Sequence, residues 1–454
     1  MFRRILIANR GEIALSIIRC CRELGIETVL AVSEVDRESL PALLADDSIC
    51  IGPASPALSY LNRQAILSAA VTSDCDAIHP GFGFLSENAS FARMCEQMGV
   101  CFIGPSSEAM SMLGDKNRAR QTAMAAGVPV VPGSPNVLED LSEAQQVAKD
   151  IGYPVIIKAA SGGGGRGMRI VHAADELERA FLAAKAEAKA AFGDPRVYME
   201  RYVIDPHHVE IQLMGDCHGG LLHYGERDCS VQRRNQKLIE ESPSPLLTPS
   251  LREEMGQAAL RLARAVGYVG AGTVEFLVDQ DLNYYFMEMN TRIQVEHPVS
   301  EAVTASQILQ EQILVAAGER LSQKQRDIKL VGHAIECRIN AEDPLHDFRP
   351  RPGRIEQLLL PGGYGVRVDT ALYTGPLIPP DYDSLIAKII VHGRNRDEAI
   401  RRMRRALTET LIVGVPTNID FHLAILRDPL FLAGEQNIRF IEQRMPQLLR
   451  NLTG

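Results

Sequence analysis

Glu288-Met-Asn-Thr-Arg-Ile-Gln-Val-Glu296 carries a polar or charged side chain at every second position: Glu288, Asn290, Arg292, Gln294 and Glu296. Met289, Thr291, Ile293 and Val295 fill the positions between them. Successive side chains of an extended chain point to opposite faces, so this spacing predicts a strand with two carboxylates, two amides and a guanidinium on one face. At about 3.3 Å per residue the row spans about 27 Å. A solvated edge strand can carry such a row, but here Tyr284-Tyr-Phe-Met leads in and His297-Pro298 ends it. That context predicts a half-buried strand, where carboxylates packed beside an arginine bind a ligand.

Upstream, Thr273-Val-Glu-Phe-Leu-Val278 reads as a second apolar strand, joined to Tyr284 by the polar turn Gln280-Asp-Leu-Asn283. If Asp279 pairs with Tyr284, Glu275 lies opposite Glu288 on the same face. Like charges so placed repel unless a cation lies between them. Mg²⁺ takes one or two carboxylates plus substrate phosphate oxygens, which suits this pair, and Asn290 adds a neutral oxygen. The alternative is that one of the two glutamates is a hairpin surface residue. Glu336, Arg338 and Asn340 alternate with apolar partners in Ala334-Ile-Glu-Cys-Arg-Ile-Asn and share one strand face. Lys237 and Arg338, each taken alone, read as structural ion pairs.

Ser161-Gly-Gly-Gly-Gly-Arg-Gly167 can turn several backbone N–H groups toward an anion, because glycine lets the chain approach closely. No Lys-Ser/Thr follows, so it is not a Walker A loop. Met168-Arg-Ile-Val171 reads as strand, whereas a dinucleotide loop opens a helix. With Val155-Ile-Ile-Lys158 before it, the loop has the form of a glycine lid over phosphates; a flexible hairpin tip is the alternative. An Ala-rich helix should start at Asp175, with Glu178 completing a capping box, and stop at Gly193.

The N-terminal region alternates strand and helix: Ile5-Leu-Ile-Ala, a helix from Glu12 to Leu24, Thr28-Val-Leu-Ala-Val, and short apolar runs at Ala77-Ile78 and Val100–Ile103. This rhythm predicts a parallel, Rossmann-like sheet. Its first turn, Asn9-Arg-Gly-Glu12, lacks G-x-G-x-x-G, which argues against a nicotinamide-dependent dehydrogenase. The 454 residues predict about two to four domains. A net charge of −9 argues against a nucleic-acid partner. No apolar run is long enough to span a bilayer, and the start enters a strand pattern without a signal peptide. Nine cysteines without C-x-x-C fit reduced thiols and a cytoplasmic location.

A glycine lid, lysines that reach phosphate, paired Mg²⁺ carboxylates and a following Asn resemble the ATP-grasp ligases. Sharper motifs narrow this. Ile7-Ala-Asn-Arg-Gly-Glu-Ile-Ala14, His79-Pro-Gly-Phe-Gly-Phe-Leu-Ser-Glu-Asn88, Lys158 to Met168, Glu288 to His297, and Glu336-Cys-Arg-Ile-Asn-Ala-Glu342 together resemble biotin carboxylase, from the first strand to about Arg444. The resemblance implies an α/β and α+β multidomain fold. It comprises an N-terminal Rossmann-like domain (1–115), a linker and ATP-grasp lid (116–203), an ATP-grasp core (204–330) and a C-terminal domain with a large antiparallel sheet (331–454).

The resemblance also implies roles at matching positions. ATP would lie between lid and large domain, contacted by Lys116, Lys158, Gly164, Gly165, Glu200, Arg201, Tyr202, Val203 and His208, with Asn235 near the ribose. Glu275, Glu288 and Asn290 would hold Mg²⁺ or Mn²⁺. Bicarbonate would be gripped by Lys237, Arg292 and the Val295 backbone, with Gln294 nearby. Glu296 would deprotonate it to give carboxyphosphate, and Arg338 would stabilise the developing ureido oxygen of biotin.

Three positions depart from common family residues: Asn235 for His, Phe82 for Tyr, and Ser16 for an Arg at the homodimer contact. A Met-Lys-Met biotin-attachment site is absent, so a separate biotin carboxyl carrier protein and separate carboxyltransferase subunits are expected. This is the organisation of a multisubunit acetyl-CoA or other acyl-CoA carboxylase. A different ATP-grasp ligase would not require the Arg292–Glu296 set or Arg338. A regulatory nucleotide-binding subunit would show damaged Mg²⁺ carboxylates or a damaged base, and both are intact in the sequence.

Overall fold

Ile5, Leu6 and Ile7 are fully buried because they form the central strand of a parallel sheet covered on both faces. Its strands are β1 (Arg4–Ile7), β2 (Glu27–Ser33), β3 (Asp47–Gly52), β4 (Ala77–His79) and β5 (Cys101–Phe102), in the order β3-β2-β1-β4-β5. Helix α1 (Gly11–Glu23), within a residue of the helix expected from Glu12 to Leu24, packs Ile13, Ile17 and Cys21 against one face. The computed structural model describes residues 1–160 and 168–453. Gly164, Gly165 and the rest of the 161–167 loop lie outside the described residues.

The chain divides into two compact units, one of residues 1–128, 207–276 and 288–454, the other of residues 129–206 and 277–287. The smaller unit contains the three-stranded antiparallel sheet β7-β6-β8, formed by β6 (Val155–Ala159), β7 (Met168–Val171) and β8 (Val197–Arg201). The helices Leu141–Ile151 and Leu177–Phe192 supply Ala144, Ala148, Phe181 and Ala184 to its core. The expected capping box at Asp175 does not form. A 3₁₀ turn covers Ala174–Glu176, the helix begins at Leu177, and Glu176 instead accepts from the His172 amide at 2.9 Å. Gly193, in the left-handed region at φ 73°, stops the helix as predicted.

The large sheet has eight strands. They are β9 (His207–Gly215), β10 (Leu221–Arg233), β11 (Gln236–Ser242), β12 (Gly270–Val278), β13 (Tyr284–Asn290), β14 (His333–Asn340), and the strands Leu385–Gly393 and Val366–Thr370. Their order is β13-β12-β9-β10-β11-β14, then Leu385–Gly393, then Val366–Thr370. Ile335, Cys337 and Ile339 enter the largest apolar core. Alternation therefore sends Glu336, Arg338 and Asn340 to the opposite face.

A register shift decides what else that face holds. Gln232 pairs with Lys237 while Val231 pairs with Ile239, leaving Leu238 as an extra residue in β11. This β-bulge turns both Leu238 and Ile239 into the apolar core and brings Lys237 and Glu240 to one face. Among the described residues, no helix is long and apolar enough to cross a membrane.

Candidate active site

The polar face of the large sheet is built from strands whose other face is core. On β9, Val209, Ile211 and Leu213 alternate with His208, Glu210 and Gln212, and all six are buried. Arg227 from β10, Lys237 and Glu240 from β11, Glu275 from β12 and Arg338 from β14 join them within the larger unit.

Lys237 is the hub. Its Nζ donates to Glu210 Oε2 at 2.6 Å, to Glu296 Oε1 at 2.6 Å and to Glu275 Oε1 at 3.1 Å. Arg227, fully buried, donates from Nε to Glu210 Oε1 at 2.5 Å and from its Nη atoms to Gln212, Thr273 and Ser300. Arg338 spans two acids, Nε to Glu240 Oε1 at 2.6 Å and Nη2 to Glu296 Oε2 at 2.8 Å. Lys237 and Arg338 are each shared between carboxylates, while Arg227 pairs with Glu210 and three neutral acceptors; full partnering of this kind is how a desolvated charge is stabilised.

Glu296 is fully buried. Burial opposes its ionisation, but Lys237, Arg338 and Arg227 outweigh that and hold its carboxyl well below the ordinary range. It also stands immediately before the helix His297–Thr304, whose N-terminal dipole favours an anion. Glu275 is likewise held low against burial, by Lys237 and by His208, whose Nε2 lies 3.2 Å from Glu275 Oε2. Burial pushes Glu240 up to about 7, with Arg338 lowering and Glu296 raising it.

The structure corrects the strand expected over 288–296. Strand β13 stops at Asn290, Thr291 to Gln294 are irregular, Val295 and Glu296 form a turn, and the helix starts at His297 with Pro298 in its first turn. Residues expected in a linear row instead converge around one centre. Arg292 donates from Nη1 to Gln294 Oε1 at 2.9 Å and from Nη2 to Asn290 Oδ1 at 3.3 Å, while Nε binds Glu87 at 2.9 Å. Asn290 and Gln294 each donate to Glu275 Oε1, at 2.7 and 3.3 Å. The Val295 carbonyl accepts from Lys388 Nζ at 2.8 Å.

Glu288 is the more open carboxylate, with Lys116 Nζ at 3.8 Å. Burial and then the negative charge of Glu275 raise its pKa. The hard oxygens of Glu275, Glu288 and Asn290 fit Mg²⁺. Asn235 sits with Arg234 in the two-residue β10–β11 turn, both at positive φ (65° and 49°), a conformation that favours Asn. In the smaller unit Lys158 binds Glu200 at 2.6 Å, Arg201 binds the Tyr285 hydroxyl, and the Tyr202 amide donates to Pro154. Val203 follows the end of β8.

Sequence reasoning missed Glu210, Arg227, Glu240, Lys388 and Glu87. The alternation of His208, Glu210 and Gln212 with three aliphatics carried a signal for Glu210. Nothing local announced the others.

Three family models match in succession: the biotin carboxylase N-terminal domain over residues 1–110, the carbamoyl-phosphate synthase L chain ATP-binding domain over 115–324, and the biotin carboxylase C-terminal domain over 336–443. A biotin carboxylase of Nostoc sp. is 56% identical over 442 residues, covering 97% of this chain and 99% of the relative. The chain belongs to the biotin carboxylase family. It is accordingly an ATP-dependent ligase. A pyruvate carboxylase component of Methanothermobacter thermautotrophicus is 51% identical, covering 98% of this chain and 90% of that one. Among solved structures, the biotin carboxylase domain dimer of Hydrogenobacter thermophilus 2-oxoglutarate carboxylase, in complex with MgADP, ADP and bicarbonate, is 48% identical. It superposes with a TM-score of 0.91, over 99% of this chain and 98% of that chain. The biotin carboxylase fold expected from the motifs is therefore present.

Proposed function

We propose that this site carboxylates biotin on a separate carrier protein, using MgATP and bicarbonate, in the first half-reaction of an acyl-CoA carboxylase. The observation that carries the proposal is the suspension of Glu296 between Lys237 and Arg338, with Arg292 and Gln294 beside the same group of acids.

Lys237, Arg292 and the Val295 backbone hold bicarbonate, and Gln294 steadies Arg292. Glu296 at rest is a weak base, because its cations favour the ionised form. A bicarbonate anion competes for Lys237, weakens that grip and raises the proton affinity of Glu296 as the attack on the γ-phosphate begins. Carboxyphosphate then collapses to CO₂ and phosphate. The phosphate takes the proton from biotin N1′, Arg338 stabilises the charge developing on the ureido oxygen, and N1′ then attacks the CO₂ to form the N–C bond of carboxybiotin.

Glu275, Glu288 and Asn290 would hold Mg²⁺ (or Mn²⁺), which neutralises negative charge on the transferring phosphoryl group when bound. Lys116, His208 and Asn235 of the larger unit are assigned to nucleotide binding, and within the smaller unit the Lys158–Glu200 pair is assigned to it as well. Arg201, Tyr202 and Val203 are assigned to nucleotide binding with them.

Partners on this reading are a biotin carboxyl carrier protein, carboxyltransferase subunits and a second copy of the chain, in the cytoplasm. The acyl acceptor is assigned as acetyl-CoA, for fatty-acid synthesis. A role in pyruvate or 2-oxoglutarate carboxylation is the second reading, supported by the pyruvate carboxylase and 2-oxoglutarate carboxylase relatives. Measuring product formation with carrier and carboxyltransferase from the same source, offering acetyl-CoA, pyruvate and 2-oxoglutarate in turn, separates them. Carboxylation of either keto acid alone would refute the acetyl-CoA assignment.

A further inference from the structure

The Arg338 guanidinium is held by two acids that differ in kind. Glu296 is the group that the proposed reaction protonates. Glu240 is outside that cycle: it is fully buried, accepts Arg338 Nε at 2.6 Å through Oε1, and its Oε2 has no hydrogen-bond partner among the described residues. Across the β11–β14 ladder Glu240 lies directly opposite Glu336. Glu336 is also fully buried, and both its carboxyl oxygens lack a hydrogen-bond partner among the described residues. Two such neighbouring carboxyls cannot both ionise in a dry site, so Glu336, which has no donor among the described residues, takes the proton first; Arg338 favours the charge on Glu240, and loss of the Glu296 charge favours it further.

Once Glu296 accepts a proton, it no longer offers an anion to either of its cations. Lys237 still has Glu210 and Glu275. For Arg338, the one remaining carboxylate among its hydrogen-bond partners is Glu240. Arg338 Nη1 makes no hydrogen bond among the described residues, so the grip on Nε leaves that edge available.

We propose that Glu240 is a positioning residue that keeps Arg338 aimed while Glu296 passes through its protonated state. This rests on the reading of Glu296 as base and Arg338 as oxyanion stabiliser. Glu240 acts through Arg338 and touches no reacting atom. Losing it should leave nucleotide binding intact and slow the step in which biotin is carboxylated.

The test is steady-state phosphate release with MgATP, bicarbonate and free biotin, comparing the wild-type chain with Glu240→Ala and Glu240→Gln. Glu240→Ala should lower biotin-dependent kcat on the order of 10- to 100-fold, the equivalent of one hydrogen bond to a charged group. Its KM for ATP should stay within about twofold. Glu240→Gln keeps an accepting oxygen and should recover part of the loss. It also carries the test by the same kcat and KM criteria if the Ala variant does not fold. An unchanged kcat in either folded variant, or a KM for ATP that rises in step with the loss of kcat, would overturn the positioning role. A wild-type chain without any biotin-dependent release would instead overturn the functional reading, and the role of Glu240 with it.

Discussion

Lys237→Met removes the ammonium that joins Glu210, Glu275 and Glu296 at 2.6, 3.1 and 2.6 Å, while keeping the side chain's bulk. Three buried carboxylates then share Arg227, Arg338 and His208, and one of them must take a proton. A glutamate with an ordinary pKa of 4.5 requires about 3.4 kcal/mol to be neutral at pH 7, at about 1.36 kcal/mol per unit. That figure falls within the roughly 3–5 kcal/mol seen when one partner of a buried ion pair is removed.

The sign follows from linkage. In the variant, the protonated carboxyl has a folded pKa above its unfolded value. Its contribution is complete below the unfolded value and is lost as pH rises through the folded one. In the wild type, Glu275 and Glu296 are held low, so their contribution stays constant above about pH 5. The stability gap should therefore widen by about 1.4 kcal/mol per pH unit between about pH 5 and 7. The chain has no Trp, so far-UV circular dichroism during urea unfolding is the suitable readout. A gap below about 1 kcal/mol at pH 7, or one equal at pH 5 and 7, would refute the role of Lys237 as a desolvated clamp.

Other outcomes follow from the same face of the sheet. Burial pushes Glu336 well above the carboxylate range despite Lys388, so Glu336→Gln replaces one neutral group with another. Thermal unfolding should register less than about 1 kcal/mol, and a loss above about 3 kcal/mol would mean that an ionised Glu336 pairs with Lys388. Glu288→Gln should raise the half-saturating Mg²⁺ concentration for turnover on the order of tenfold, read from a Mg²⁺ titration; an unchanged titration would remove Glu288 from the metal set. Asn235→His should fold normally, because His also tolerates positive φ, and should change the dissociation constant of ATP measured by calorimetry. An identical constant would separate residue 235 from the nucleotide.

Much of the fold was legible because short-range patterns suffice for it. The buried run Ile5–Ile7, the helix after Gly11 and the alternation of Glu336, Arg338 and Asn340 appear as read. The 288–296 stretch was misread for a physical reason. Period-two spacing is necessary for a strand but does not require one, and Pro298 in the first turn of a helix demands that the chain turn before it. The polar residues still converge, through a loop rather than a pleat.

Glu240 was illegible for the converse reason. Strict alternation sets it on the face away from Lys237, and only the bulge at Leu238 returns it. Arg227 stands between Glu226 and Asp228, where nothing local distinguishes it; its role shows only when Glu210, Gln212, Thr273 and Ser300 gather around it. Glu87 and Lys388 reach the site only through tertiary contacts, more than 200 residues from Thr291 in one case and 93 from Val295 in the other.

Phosphate release by the purified chain with MgATP and bicarbonate, with and without free biotin, tests the central claim most directly. Release that requires both bicarbonate and biotin, and that disappears in Glu296→Ala while ATP still binds, is the predicted result. Release indifferent to biotin, or an active Glu296→Ala variant, would contradict the account.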